Sequence, residues 1–284
     1  MQIGGYERLT EFATTGSGYA RWCVAQKDGE KVFIKQFLSP VQPVQTTENP
    51  STLVRNQRAR CAAFERVKST LYDTLSRIQS DSLIKVRDFF VCDGHYFAVS
   101  EYVDPSFPTL QDISSLPEKM RFRLLVSFAE CLRTLHQSGM VHADLKPEHI
   151  IVDNRVGLFQ IRIIDFDSGF LENNPPKPKS NIEGDPVYLS PEAYRLIVGE
   201  PVTLDRKLDT FAEGILLHQA LTGVLPEFGK AAYTYLYAAV LDDGKVTLSD
   251  KLDRKQQAII QRMLDKNPAK RPGDDEICDM LKTY

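Results

Sequence analysis

Through the first hundred residues apolar and polar positions alternate, with turn formers between the runs. Alternation with period two marks a half-buried strand, and it predicts strands over 19–25, 31–37, 83–90 and 96–101. Lys27-Asp28-Gly29 joins the first two as a hairpin, because Asp-Gly tolerates the positive φ of a tight turn. A helical stretch spans 54–78, after a Pro-rich insertion at 39–50 that reads as a surface loop. From Pro117 onward the pattern becomes mainly helical. Residues 118–137 form an amphipathic helix, opened by proline and stopped at Ser138-Gly139. Short β segments at 150–152 and 161–164 flank a turn at 154–157. Helices follow near 191–198, 208–221, 230–241, 254–264 and 274–281, and the chain has no internal repeat. A strand-rich front and a helix-rich back predict an α+β domain. Its small β-rich lobe covers about 1–101, joined near 101–104 to a larger helical lobe over about 105–284.

Composition narrows the class. A chain of 284 residues suits one large domain or two closely packed lobes. Thirty-five Lys and Arg against 38 Asp and Glu leave a net charge of −3. That balance argues against nucleic acid or an anionic membrane as the main partner, since both demand a clustered positive surface. Arg55, Arg58, Arg60 and Arg66 read as a solvated helix face. The five cysteines are scattered without metal-ligand spacing, which predicts free thiols in a reducing compartment. The opening MQIGGYERLT lacks the apolar core of a signal peptide, and no apolar run approaches the roughly 20 residues needed to span a bilayer. The expectation is a soluble, cytoplasmic protein; composition leaves its oligomeric state open.

The chemistry concentrates in Val141-His142-Ala143-Asp144-Leu145-Lys146-Pro147-Glu148-His149 and, after a short β turn, Ile163-Ile164-Asp165-Phe166-Asp167. Two acids on neighbouring loops, with a lysine two residues beyond the first, are the equipment of phosphoryl transfer. One acid orients the attacking hydroxyl, the other holds a metal against the phosphates, and the cation neutralises developing charge.

These segments resemble the Ser/Thr branch of the eukaryotic-type protein kinases, and the resemblance runs from about residue 12 to 281. It implies the bilobal kinase fold, ATP with Mg²⁺ or Mn²⁺ as cofactors, and an unidentified protein substrate. Asp144 then matches the catalytic acid and Lys146 the phosphate-stabilising lysine. Asp165 matches the metal-binding acid of Asp-Phe-Gly, and Lys35 in Val-Phe-Ile-Lys the lysine that pairs with the α/β-phosphates. Gly16, Ser17 and Gly18 lie where a glycine loop would cover the phosphates, although the full Gly-x-Gly-x-x-Gly is missing. Glu65, the only glutamate on the 54–78 helix, is the choice to pair with Lys35, with Asp73 as the alternative. Glu101 and Val103 fall in the adenine-binding hinge, after Ser100 as gatekeeper. Ser190-Pro191-Glu192 resembles the close of the activation segment. Asp209 resembles the helix aspartate that braces the catalytic loop, and Arg271 the ion-pair partner of Glu192.

Six positions depart from the family pattern, in five departures. His149 replaces a metal-binding asparagine, and imidazole suits softer ions than Mg²⁺. Asp167 replaces the glycine of Asp-Phe-Gly and adds a carboxylate, a substitute metal ligand. Ala143 replaces an arginine that clamps a phosphorylated activation loop, so activity is expected not to require that phosphorylation. Asp185 replaces a threonine that contacts Asp144 and Lys146. Trp22 and Phe33 replace a small valine and alanine against adenine, where two aromatics either stack on the base or block it. Two neighbouring readings remain beside the kinase. One is a nucleotide-binding pseudokinase. The other is a small-molecule phosphotransferase of the aminoglycoside or choline kinase type, echoed in His142–Asp144 and Ile164–Asp167.

Overall fold

The computed structural model describes residues 2–14, 20–43, 51–104, 110–153, 159–178 and 184–284. The chain divides into two compact units, one of Met1–Gln79 with Ile84–Pro105 and one of Ser80–Leu83 with Ser106–Tyr284.

The first unit is built on an antiparallel sheet. Its strands are β1 (Gln2–Ile3), β2 (Tyr6–Arg8), β3 (Ala13–Thr14), β4 (Ala20–Lys27), β5 (Glu30–Phe37), β6 (Val86–Cys92) and β7 (His95–Glu101), in the order β1-β2-β4-β5-β7-β6 with β3 beside β4. Asp28 and Gly29 turn the chain between β4 and β5 with φ of 52° and 81°, and Asp93-Gly94 does the same between β6 and β7. The alternating pattern sorts residues cleanly. Cys23, Ala25, Val32 and Ile34 are buried with Ile3, Tyr6, Phe97 and Val99. Trp22 and Lys35 lie directly opposite one another on the other face, as do Val24 and Phe33. Gly4 is required by contact as well as by its φ of 56°, since a Cβ there would come within 2.2 Å of the Phe90 ring.

Helix α1 (Thr52–Arg77) is capped by the Ser51 side chain, which accepts the N–H of Val54. It turns Cys61, Lys68, Leu71, Tyr72 and Leu75 inward, while Arg55, Arg58, Arg60 and Arg66 are exposed. Phe64 packs within 5.1 Å of Phe37 and 4.9 Å of Tyr96 between ring centroids, and Tyr72 within 5.4 Å of Phe89. These rings fasten the helix to the sheet.

The second unit is helical: α2 (Glu118–Gln137), α3 (Pro191–Ile197), α4 (Lys207–Thr222), α5 (Leu236–Leu241), α6 (Arg254–Met263) and α7 (Asp274–Leu281). Helix α4 is buried on every side from Leu208 to Thr222, which makes it the axis of this unit. Among the described residues, three two-stranded sheets accompany the helices. They pair β8 (Met140–Val141) with β11 (Phe170–Leu171), β9 (Ile150–Asp153) with β10 (Gln160–Ile163), and β12 (Glu227–Phe228) with β13 (Val246–Thr247). The Ile163 N–H donates to the Ser82 carbonyl at 2.7 Å, so residues 80–83 join this unit and β6 begins only at Val86. The helix expected over 230–241 is confined to α5. Ala232 and Tyr233 instead turn onto the Gly229 carbonyl, and Tyr235 is extended. All five cysteines are free thiols. Among the described residues no helix is long and apolar enough to cross a membrane.

Candidate active site

The motif 142–149 leaves β8, passes through a 3-10 turn at Pro147–His149 and enters β9. The Lys146 ammonium donates to Asp144 Oδ2 at 3.1 Å, and the Asp185 N–H donates to Asp144 Oδ1 at 3.1 Å. Both carboxylate oxygens are thus fixed. Burial pushes the Asp144 carboxyl above its ordinary pKa, against the charges beside it, which suits a group that must accept a proton. Asp185 meets Asp144 through its backbone, while its own carboxylate accepts the Val187 N–H at 2.8 Å.

His149 joins this loop to the second acid. Its Nδ1 lies 2.8 Å from the Asp144 carbonyl and its Nε2 3.5 Å from Asp165 Oδ2. A carbonyl can only accept, so Nδ1 carries the proton. Burial pushes the His149 pKa below its ordinary value even with two carboxylates near, which keeps the ring neutral. Asp165 follows β10 in a left-handed conformation with φ of 60°. Asp167 lies in the next turn, where the Gly169 N–H donates to the Phe166 carbonyl at 2.9 Å. A carboxylate oxygen beside a neutral imidazole nitrogen is a donor pair that fits a divalent cation. Among the described residues no group of three His, Cys, Asp or Glu forms a metal cage, so phosphate and water oxygens must complete any coordination.

The loop rests on buried charge. Asp209 of α4, fully buried, accepts the backbone N–H of His142 at 2.7 Å and of Ala143 at 2.9 Å. Ala143 holds a φ of 65°, unusual outside glycine, and these bonds stabilise it. His142 points its Nε2 at the Ile164 carbonyl (3.1 Å), tying the two chemical loops together. Beneath Asp209, His136 lies with Nε2 3.1 Å from that carboxylate and Nδ1 2.9 Å from Asp274 of α7. Burial opposes charge on this imidazole, but bonds to two carboxylates outweigh it and hold its pKa up to about 10. Arg271 donates to both oxygens of Glu192 at 2.6 and 2.8 Å, the expected ion pair. The sequence reading missed His136, Asp274 and Glu213. The available signal was Asp209 and Glu213 four residues apart on one helix, one face bearing two acids.

In the first unit, Lys35 lies in β5 with Trp22 opposite it, and the Trp22 and Phe33 rings stack on one another at 5.3 Å. Glu65 does not pair with Lys35. Its carboxylate accepts from Gln42 Nε2 at 2.8 Å and from the Tyr96 hydroxyl at 2.7 Å, because its position on α1 faces the β7 aromatic rather than the lysine. Asp73, the alternative, is exposed. The inward cation of α1 is Lys68, 7% exposed, with its ammonium 5.0 Å from the centre of the Phe37 ring and 5.6 Å from that of Phe64. Glu101 closes β7 opposite Val32, and Val103 follows in coil. Gly16, Ser17 and Gly18 lie outside the described residues.

The chain thus carries an antiparallel sheet with one long helix, a helical unit around a buried α4, and an acid–lysine–histidine–acid arrangement on adjoining loops. A family model described as the protein kinase domain matches residues 54–281, more than half of the chain, and the chain belongs to the protein kinase family. It is 30% identical over 223 residues to serine/threonine-protein kinase pkn2 of Myxococcus xanthus, covering 73% of this chain and 26% of that one. It is 29% identical over 261 residues to pkn3 of the same organism, covering 87% and 46%. To PkaA of Streptomyces coelicolor it is 28% identical over 214 residues, covering 73% and 38%. The chain thus spans less than half the length of each of these relatives.

Proposed function

We propose that this chain transfers the γ-phosphoryl group of ATP to Ser or Thr hydroxyls of protein substrates. The observation that carries this reading is the Asp144 carboxylate, held by Lys146 on one oxygen and the Asp185 N–H on the other, on the loop that His149 links to Asp165. Asp144 orients the substrate hydroxyl and accepts its proton, and its raised pKa favours that step. Lys146, two residues on, places a positive charge beside the transferring group. Lys35 of β5 holds the α/β-phosphates, and Gly16, Ser17 and Gly18 cover them. Glu101 and Val103 offer backbone groups to adenine. A divalent cation, Mg²⁺ or Mn²⁺, would be held by Asp165 with His149 and Asp167 and would supply neutralisation of phosphate charge. The relatives named as serine/threonine-protein kinases support hydroxyl acceptors of that class.

The test is transfer of label from radiolabelled ATP, run with Mg²⁺ and Mn²⁺ in parallel, for wild type and Asp144→Asn. The expected result is label on the protein or on a generic protein acceptor, abolished by the substitution, with nucleotide binding nearly intact. Equal transfer by the variant removes Asp144 from this role. ATP binding without transfer by wild type leaves a nucleotide-binding scaffold.

A further inference from the structure

We infer that Asp274, the first residue of α7, is a positioning residue for phosphoryl transfer, acting through His136 and Asp209 on the backbone of the loop that carries Asp144. The inference rests on the kinase reading and deepens it. An unbroken chain of contacts joins α7 to that loop. Asp274 Oδ1 lies 2.9 Å from His136 Nδ1, and His136 Nε2 lies 3.1 Å from Asp209 Oδ2. Asp209 accepts the N–H groups of His142 and Ala143, and Asp144 is the next residue. The His136 ring is buried with a carboxylate at each nitrogen. Carboxylates only accept, so both nitrogens donate and the ring is an imidazolium.

Asp274 sets that charge. Burial disfavours its ionised form, but the bond to His136 and the charges of His136, Arg206 and Lys207 outweigh it and hold its pKa below the ordinary value. His136 also stands in the last turn of α2, where the helix dipole favours a cation. Without the Asp274 carboxylate, one proton on Nε2 satisfies Asp209 and the second has no acceptor. Asp209 then keeps its two backbone donors but loses the buried cation beside it. Helix α4 holds both ends of the chain. It carries Asp209, and its Lys207 Nζ donates to the carbonyls of Arg271 at 3.1 Å and Pro272 at 2.6 Å, just before Asp274. Asp275 is the natural comparison. It shares the first turn of α7, but it is exposed and meets Arg133 at 3.3 Å. A favourable place at a helix N-terminus is common to both acids; the contact with the buried imidazole belongs to Asp274.

The experiment compares wild type, Asp274→Ala, Asp274→Asn and Asp275→Asn in transfer from labelled ATP to a generic protein acceptor, at a temperature where each is folded. The expected result is a kcat roughly tenfold to 100-fold lower in Asp274→Ala and less reduced in Asp274→Asn, with the KM for ATP held within about twofold, because a misplaced catalytic group costs rate rather than binding. Asp275→Asn should match wild type. NMR of ¹⁵N-histidine reads the relay directly. At about pH 8, below the value of about 10 to which His136 is held, wild type should carry a proton on both ring nitrogens and Asp274→Ala on one. The backbone amide signals of His142 and Ala143 should move with that change. If the Asp274 variants fail to fold, the wild-type ring spectrum alone decides. A neutral His136 in wild type at that pH, or a folded Asp274→Ala with wild-type kcat, overturns the inference and leaves the kinase reading standing. An equal loss of kcat in Asp275→Asn does the same, since the effect then belongs to the whole first turn of α7. Folded wild type that transfers no label overturns the kinase reading and the inference with it.

Discussion

His136 Nε2 lies 3.1 Å from Asp209 Oδ2, the same oxygen that accepts the backbone N–H of His142. With Oδ1 serving Ala143, one carboxylate holds the loop that carries Asp144 and is itself held by a charged imidazole. Asp209→Asn keeps the shape but turns an amide N–H₂ toward one of these donors. One buried group is left unsatisfied, at a cost of about 1–3 kcal/mol. We expect urea denaturation to show that loss. Phosphoryl transfer should fall further than stability accounts for, measured at a temperature where both forms are folded, because Ala143 at a φ of 65° loses its restraint.

Glu213, one turn beyond Asp209, gives a pH dependence. It is 1% exposed, and among the described residues its Oε1 has no hydrogen-bond partner. Burial, then the charge of Asp274, push its pKa up to about 8; His136 opposes this and Asp209 adds to it. The folded chain therefore keeps a proton that the unfolded chain releases above its ordinary value of 4.5. This contribution to stability is complete below the unfolded pKa and is lost as pH rises through the folded one. His136, held up to about 10, acts in the same direction from 6.5 upward. Stability should fall from about pH 5 to about pH 8 by at most about 1.4 kcal/mol per unit for a single proton. Glu213→Gln, a neutral mimic, should flatten the fall below the ordinary His136 value of 6.5, reduce the slope from there to about pH 8, and leave the slope above that unchanged. Chemical denaturation midpoints across pH measure both, and equal slopes in the two proteins would sink the assignment.

Local signals account for what was legible in the sequence. Helix α2 runs from Glu118 to Gln137 as expected, because Pro117 and Ser138-Gly139 mark its ends in the chain itself. The Asp28-Gly29 turn set the β4–β5 hairpin in the same way, and Asp93-Gly94, not read as a hairpin from the sequence, sets β6–β7. Strands β1, β2, β12 and β13 were not legible. Two or three residues carry no period, and partners elsewhere decide whether they pair. The turns at 230–235 were likewise hidden, since a Tyr- and Ala-rich run fits either state until Gly229 captures its N–H groups.

The candidate site divides along the same line. Asp144, Lys146, His149 and Asp165 lie on two loops flanking one short hairpin, so the acids and the lysine were legible from spacing, and His149 from the family resemblance. Glu65 failed because helix position is not helix facing. On a 26-residue helix each step rotates the side chain by about 100°, and packing of Phe64, Tyr72 and Leu75 chose which residues turned inward. That packing set Glu65 against Tyr96 and buried Lys68. His136 and Asp274, 138 positions apart, meet only because α2 and α7 pack.

Removing Glu65 separates the two roles considered for it. The Tyr96 hydroxyl, on a fully buried ring, donates to Glu65 and accepts from Gln42 at 2.6 Å. Burial, and then the bond to Glu65, raise the Tyr96 pKa, so it stays a neutral donor. Glu65→Ala leaves that donor unpaired and should cost about 1–3 kcal/mol of stability. Affinity for ATP, measured by calorimetry on the folded variant, should be unchanged. A large loss of ATP affinity without a loss of stability would return Glu65 to the nucleotide.

The Glu192–Arg271 pair is the sharpest test of the second unit's packing. Both residues are at most 5% exposed. The guanidinium also donates to the carbonyls of Lys207 at 2.7 Å and Asp265 at 2.9 Å, and lies over the Phe211 ring. Arg271→Met strands a buried carboxylate, and breaking such a pair costs about 3–5 kcal/mol. Glu192→Gln should cost less, because the arginine keeps two backbone acceptors and an amide oxygen. The double variant should be more stable than Arg271→Met alone, since no unpaired charge remains inside. Chemical denaturation of the four proteins gives the coupling energy. If the two single losses simply add, the ion pair does not hold α3 to the segment before α7, and that segment's position must come from its apolar contacts.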